Sequence, residues 1–214
     1  MKVLLGLSGG VDSTYCATLL KNLGYDVVGC VLRMHEYTDT EGAVRCASEL
    51  SIPLITLDCS SEFDGIIKNY FVNEYMLGRT PNPCILCNER VKFEFLYRYA
   101  VEHGFDFIAT GHYAHVDKTL VDGSVRYAIS SSDSAKDQSY MLYRLPQHIL
   151  SKLLLPVGDL DKSNVRREAD LAGLSAAKSK DSQEICFLPD GKHYDFIEEK
   201  LGKPPKGNFI DLDG

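Results

Sequence analysis

The chain has 214 residues, 44% of them hydrophobic, a formal net charge of −7 and seven cysteines. That length holds one sizeable α/β domain plus a fragment of something else, with the apolar content of an ordinary globular protein. The acidic balance counts against a globally basic nucleic-acid binder, although local patches decide such binding. Seven cysteines without a secretory leader argue against a disulfide framework.

The apolar run Met1-Lys2-Val3-Leu4-Leu5-Gly6-Leu7 is too short for a signal peptide or a membrane span, so a cytoplasmic protein with no membrane partner is expected. It reads as a buried strand, and Ser8-Gly9-Gly10-Val11-Asp12-Ser13 follows at once as a glycine turn and a helix start. Adjacent glycines let the backbone approach an anion, and the helix adds unpaired N–H groups and the positive end of its dipole. No Lys-Ser/Thr pair follows, which excludes a Walker loop, and the spacing does not fit the dinucleotide fingerprint. Asp12 is available to a Mg²⁺ that bridges phosphate oxygens. The plain alternative is a turn whose Asp12 or Ser13 caps a helix.

A helix over 12–23 ends at Gly24, a strand follows over 27–32, a helix over 40–50 and a strand over 52–57. This alternation predicts parallel βαβ units. A longer helix over 62–77 carries the apolar stripe Phe63, Ile66, Ile67, Tyr70, Phe71 and Tyr75. Gly78-Arg79-Thr80-Pro81-Asn82-Pro83 breaks it. Helix then returns over 89–102 and leads to a strand over 105–110. Gly111-His112-Tyr113 falls at that strand's carboxyl end, where open α/β sheets hold ligands. A hairpin over 116–130 turns at Asp122-Gly123. Short helices are expected over 139–145, 149–154 and 163–171, a loop-like stretch after 196–201, and a strand over 208–214. Basic residues gather late, at Arg166, Arg167, Lys178 and Lys180, with Lys136, Arg144 and Arg90 upstream; the plain reading is a solvated face.

Cys16, Cys30, Cys46 and Cys59 sit in apolar or helical contexts and read as packed thiols. Cys84 and Cys87 form a C-x-x-C before the expected helix at 89, and a helix N-terminus would lower a thiol pKa. Cys186 is distant in sequence. Two chemistries compete: a persulfide pair of Cys87 and Cys186, or a [4Fe–4S] cluster on Cys84, Cys87 and Cys186 with one open iron. Structural zinc ranks third, since it wants four closed ligands and only His112 could add a fourth.

The motifs Gly6 to Ser13, Gly78 to Pro83, Cys87-Asn88, Ala109 to Tyr113, Lys136-Asp137-Gln138-Ser139-Tyr140 and Ile185-Cys186-Phe187 together resemble the bacterial tRNA-specific 2-thiouridylases. The first string alone would mark only the wider class of ATP pyrophosphatases. The resemblance implies a doubly wound parallel α/β sheet, Rossmann-like and similar to the adenine nucleotide alpha-hydrolases, followed by a small mostly helical extension. It implies boundaries at 1–135 for the nucleotide domain, 136–203 for the extension, and 204–214 for the start of a central domain. It further implies that ATP adenylates O2 of the wobble uridine of tRNAs for Lys, Glu and Gln, and that sulfur then displaces AMP. Gly6, Leu7, Ser8, Gly9, Gly10, Val11, Asp12 and Ser13 would hold ATP, with Leu32 and Gly111 near the adenine nucleotide. Asn82, Pro83 and Cys84 would face the base, and Lys136, Asp137 and Gln138 would touch tRNA. Cys87 matches the nucleophile and Cys186 the persulfide carrier, supplied by a sulfur donor protein or sulfide. Family members usually carry Asp where Cys84 stands, and the change favours an iron–sulfur cluster, with the persulfide route close behind. Another pyrophosphatase that thiolates a different base, or a non-catalytic metal- or redox-binding module, are the alternatives.

Overall fold

The computed structural model describes residues 1–179, 184–188, 191–203, 207–208 and 210–211. Lys180, Ser182 and Gln183 lie outside the described residues, as does most of 204–214, where a domain start and a strand were expected.

Strand β1 (Lys2–Gly6) leads through the glycine turn into α1 (Val11–Asn22), then β2 (Asp26–Arg33), α2 (Thr40–Glu49) and β3 (Leu54–Asp58). Residues 60–76 form one continuous rod, α3, in which α-helical ends flank π-helical Phe63–Lys68. Residues 83–102 form a second rod, α4, with π-helical Asn88–Lys92 between α-helical Pro83–Cys87 and Phe93–Glu102. Strand β4 (Phe107–Ala109) follows, and then the hairpin of β5 (His115–Val121) and β6 (Ser124–Ser130). The chain continues through α5 (Gln147–Leu150), β7 (Leu153–Leu154), α6 (Lys162–Leu171) and α7 (His193–Leu201).

Five strands make one parallel sheet in the order β3-β2-β1-β4-β7, a doubly wound, Rossmann-like arrangement. Val3, Leu4 and Leu5 of β1 are fully buried, as a strand covered on both faces requires. The side chains alternate. Leu4 joins Phe63, Ile67, Phe71, Val91 and Leu96 beneath α3 and α4, whereas Val3 and Leu5 join Cys16, Ala17, Ala43, Cys46 and Val165 beneath α1, α2 and α6. Order reverses between β1 and β4, and that switch point opens a crevice at their carboxyl ends.

Three departures from the sequence reading have physical causes. The helix expected from 89 begins at Pro83, because proline suits a first helical position and Asn82 caps it, its Oδ1 accepting the Cys84 N–H at 3.2 Å. Residues 139–145 hold only a 3-10 turn, Ser139–Met141. The helix expected over 149–154 stops at Leu150, and Leu153–Leu154 pairs with Ile108 and Ala109 as the fifth strand. That strand is too short to show periodicity; only the unpaired edge of β4 makes it one. The hairpin turns where expected, with positive φ at Asp122 (50°) and Gly123 (75°). Among the described residues no helix is long and apolar enough to cross a membrane.

Candidate active site

Gly6 closes β1, Leu7 is buried below it, and Val11 is the buried first residue of α1. Between them Gly9 takes φ +81°, and a Cβ there would lie 2.9 Å from the backbone of Gly42 and Ala43. Only glycine fits that turn. The loop is tied by its own hydroxyls. Ser8 donates its N–H to Ser13 Oγ (3.1 Å), the two hydroxyls meet at 3.0 Å, and Ser13 and Thr14 both donate to the Gly10 carbonyl. Gly10 is the N-cap of α1 and offers no side-chain cap. The N–H groups of the first turn therefore point, without intrahelical acceptors, into the crevice, a geometry that attracts anions.

Asp12 faces the same crevice. Its Oδ1 accepts a hydrogen bond from the Tyr113 hydroxyl at 2.7 Å, and its Oδ2 meets Lys162 Nζ at 3.1 Å. Gln138 grips Tyr113 at both ends of its backbone, donating its own N–H to the Tyr113 carbonyl (2.7 Å) and accepting the Tyr113 N–H on Oε1 (3.1 Å). Asp137 accepts from the Ser132 N–H and the Ser139 hydroxyl, and Lys136 is exposed. Gly111, leaving β4, packs against α1 so closely that a Cβ would sit 2.8 Å from Asp12 C and Ser13 N. Leu32 is buried near the end of β2, one strand away.

The thiols lie at the same end of the sheet. Cys87 Sγ is 3.8 Å from Met34 Sδ, just past β2. Cys87 sits within α4 instead of at a helix start, and its setting reverses the expected activation. Burial pushes its thiol up to about 12, with Cys186 and Cys84 raising it further and Lys92 opposing. Cys186 is an exposed residue whose thiol is also pushed up, first by burial of the sulfur and then by Cys84, again against Lys92. Its neighbour Phe187 holds it there, stacked edge-on against Phe63 (5.5 Å) and Phe71 (5.4 Å) of α3. Such a burial is worth about 1.5–3 kcal/mol and each aromatic pair about 0.5–1.5 kcal/mol. Asn82 is exposed and Pro83 buried at the start of α4, so Asn82, Pro83 and Cys84 lie beside this cluster. Cys16, Cys30, Cys46 and Cys59 are buried, as expected of packed thiols.

The donor set does not fit a cluster. Among the described residues no three His, Cys, Asp or Glu side chains come together closely enough to hold a metal ion. Cys84, Cys87 and Cys186 are within electrostatic reach of one another without forming a ligand shell. His112 joins no such group among the described residues either. Its Nδ1 is bonded to the Thr110 hydroxyl at 2.8 Å, and burial, reinforced by Lys92, holds its pKa down at about 3.

Residues 1–190 match the family model described as the tRNA methyl transferase HUP domain. The chain belongs to this family. Relatives of this HUP domain include proteins described as tRNA-specific 2-thiouridylase MnmA. The one from Lachnoclostridium phytofermentans is 45% identical over all of this chain, and the one from Treponema denticola is 44% identical over all of it. The chain spans 64% and 62% of those relatives' lengths. Among solved structures, an NMN synthetase from Francisella tularensis (TM-score 0.51, 16% identity, 96% of this chain and 78% of that one) shares the fold. So does a predicted subunit of a tRNA methyltransferase from Methanocaldococcus jannaschii (TM-score 0.50, 16% identity, 79% of this chain and 76% of that one).

Two site residues of this HUP domain, Lys162 and Lys92, escape a sequence reading, and Tyr113, expected at the ligand end of its strand, gave no sign of its partner. Lys162 stands 150 positions from the Asp12 it pairs with. Tyr113 shows its role only through a contact 101 positions away. Lys92 carried a weak signal, a lysine five residues past Cys87 on a helix.

Proposed function

We propose that this chain thiolates the wobble uridine of tRNA with ATP, through an adenylated uridine and a persulfide. The observation that carries this reading is that the glycine loop and the thiols share one end of the sheet, joined by Gly111-His112. Gly111 touches the start of α1, while the His112 ring packs on Phe93 of α4 with centroids 5.6 Å apart. ATP would lie with its phosphates over the free N–H groups of α1 and its adenine near Leu32 and Gly111. Lys162 would neutralise the departing pyrophosphate. Asp12 fits a Mg²⁺ held mainly by phosphate oxygens, because Mg²⁺ takes one or two carboxylates and keeps the rest of its shell for phosphate and water. Such an ion would add charge neutralisation at the leaving group.

The uridine, single-stranded in its loop, is inexpensive to flip toward Asn82, Pro83 and Cys84. Attack of its O2 on the α-phosphate forms the adenylate and releases pyrophosphate. A persulfide on a donor protein passes its terminal sulfur to the Cys186 thiolate, the donor's S–S bond breaking with its electron pair on the donor cysteine. Its terminal sulfur attacks C2, the C2–O bond breaks and AMP departs. The Cys87 thiolate then attacks the Cys186 sulfur. The S–S bond breaks with its electron pair on the new thiouridine, and a thiol reductant reopens the Cys87–Cys186 disulfide. Lys136, Asp137 and Gln138 would meet tRNA, Gln138 also fixing Tyr113. The tRNAs for Lys, Glu and Gln are the expected substrates, in the cytoplasm.

Incubation with ATP and excess Mg²⁺, a persulfide donor, a thiol reductant, an iron-selective chelator and such a tRNA should yield AMP, pyrophosphate and thiolated tRNA in equal amounts. ADP and phosphate, or no turnover, would reject the reaction. Thiolation that needs added iron would restore the cluster.

A further inference from the structure

One line of hydrogen bonds joins the phosphate end of the crevice to residues 137–139, and fully buried Tyr113 stands at its centre. The Tyr113 hydroxyl donates to Asp12 Oδ1 at 2.7 Å, a short, charge-assisted bond. The other carboxylate oxygen, Oδ2, meets Lys162 Nζ at 3.1 Å. One hydroxyl therefore fixes the rotation of the Asp12 carboxylate, and that carboxylate sets where the ammonium of α6 stands. A lysine needs such an anchor, because its compact charge rides on a flexible stem with no directional fork of its own. The pair is mostly buried, its side chains 20% and 26% exposed, and α6 packs along α1. It lies at the first turn of α1, whose N–H groups lack intrahelical acceptors.

Tyr113 is held from behind. Gln138 donates its backbone N–H to the Tyr113 carbonyl at 2.7 Å and accepts the Tyr113 N–H on Oε1 at 3.1 Å, so both backbone polar groups of the tyrosine are bonded to one residue. The turn before Gln138 is fixed in its own right. Asp137 donates its N–H to the Ser134 carbonyl at 3.0 Å, and its carboxylate accepts the Ser132 N–H at 2.8 Å and the Ser139 hydroxyl at 2.7 Å. The tyrosine ring lies in the apolar cluster of Cys16, Ala17 and Val165 beneath α1 and α6. A buried ring and a doubly bonded backbone together direct the hydroxyl onto Asp12. Packing alone would be served by phenylalanine, whereas here the hydroxyl meets the one carboxylate of Gly6 to Ser13.

We propose that Tyr113 and Gln138 are positioning residues of the leaving-group site: the Gln138 clamp holds the Tyr113 hydroxyl on Asp12, and Asp12 thereby keeps the Lys162 ammonium beside the first turn of α1, where it meets pyrophosphate. Gln138, on the segment proposed to meet tRNA, thus sets the affinity for pyrophosphate even when no tRNA is present. The purpose of this arrangement rests on the adenylation reading, under which pyrophosphate leaves here, but binding of the free anion needs neither tRNA nor sulfur.

The test is calorimetric titration of inorganic pyrophosphate, and separately of AMP, into the parent, Tyr113→Phe, Gln138→Leu, Lys162→Met and doubly substituted Tyr113→Phe/Lys162→Met proteins. Divalent cations are left out, so that only protein groups meet the anion. Tyr113→Phe and Gln138→Leu should each weaken pyrophosphate binding about tenfold and leave AMP binding within about twofold of the parent. Adding Tyr113→Phe to Lys162→Met should cost less than about twofold more, because both act through one ammonium. Parental pyrophosphate affinity in either single variant overturns the proposal. So does an equal loss of AMP affinity, which would make the pair packing residues, or a further tenfold loss in the double variant, which would route the hydroxyl through another group. Urea midpoints of the five proteins separate each result from misfolding. The expected affinities with no AMP released from any tRNA would reject the reaction and keep the role.

Discussion

Replacing Gly111 by alanine inserts one methyl where β4 leaves the sheet and crosses the first turn of α1. Its carbon would lie 2.8 Å from Asp12 C and Ser13 N and 3.0 Å from Asp12 O, all backbone atoms that no rotamer change can move aside. Restoring an ordinary contact near 3.4 Å requires about 0.6 Å of movement in the peptide groups that would face phosphate. Overpacking of this kind costs about 1–3 kcal/mol. Displacement approaching 1 Å in a positioned site costs about a hundredfold in rate. The same chemical change at Gly65 in α3 meets nothing within 4 Å and should stabilise by about 0.5–1 kcal/mol through helix propensity. Urea denaturation and calorimetric titration with ATP read both effects. Gly111→Ala should lose stability and at least about tenfold in ATP affinity, while Gly65→Ala gains stability at unchanged affinity. Parental stability and affinity in Gly111→Ala would refute the reading of that crossing as the floor of the nucleotide site.

Lys162→Met should lower AMP release at saturating ATP by about a hundredfold, the loss expected for one donor at a developing charge. Its unfolding free energy should shift by less than about 1 kcal/mol, because the pair with Asp12 is only partly buried. His112 contributes a pH dependence whose sign follows from its depressed pKa of about 3. The unfolded chain binds this proton below about 6.5 and the folded one does not, so stability is lost as pH falls from 6.5 toward 3. Between pH 7 and 5 the His112 share is about 2 kcal/mol, and His112→Gln should flatten the denaturation curve by that amount. Phe187→Ala should cost about 3–4 kcal/mol and slow thiolation more than AMP release, since Phe187 anchors Cys186 and not the glycine loop; equal losses in both steps would count against that division.

What the sequence made legible were features with local signatures. The β1 turn into α1, the α2 face of Ala43, Cys46 and Ala47, and the Asp122-Gly123 hairpin all write themselves into spacing and turn chemistry. What stayed hidden depends on the third dimension. Leu153–Leu154 is a strand only because β4 has an open edge. The true start of α4 at Pro83 hid because prolines flanking Asn82 read first as a break, although the second proline is a good first helical residue. Cys87 moved from the expected helix start into a buried turn, and burial then outweighed the helix dipole. The pairing of Asp12 with Tyr113 and Lys162 spans 101 and 150 positions, beyond any periodicity. Met34 and Cys87 meet only because β2 and α4 converge on the same end of the sheet, and Phe187 joins their hydrophobic cluster from the segment after α6.

The central claim is that the crevice transfers adenylate to the O2 of a tRNA uridine. A tRNA carrying ¹⁸O at O2 of its wobble uridine tests it directly, with the AMP released during thiolation analysed by mass spectrometry. The account predicts AMP bearing the heavy oxygen, formed in equal amount with pyrophosphate and only when that uridine is present. Unlabelled AMP, or labelled oxygen retained in the thiolated tRNA, would contradict it.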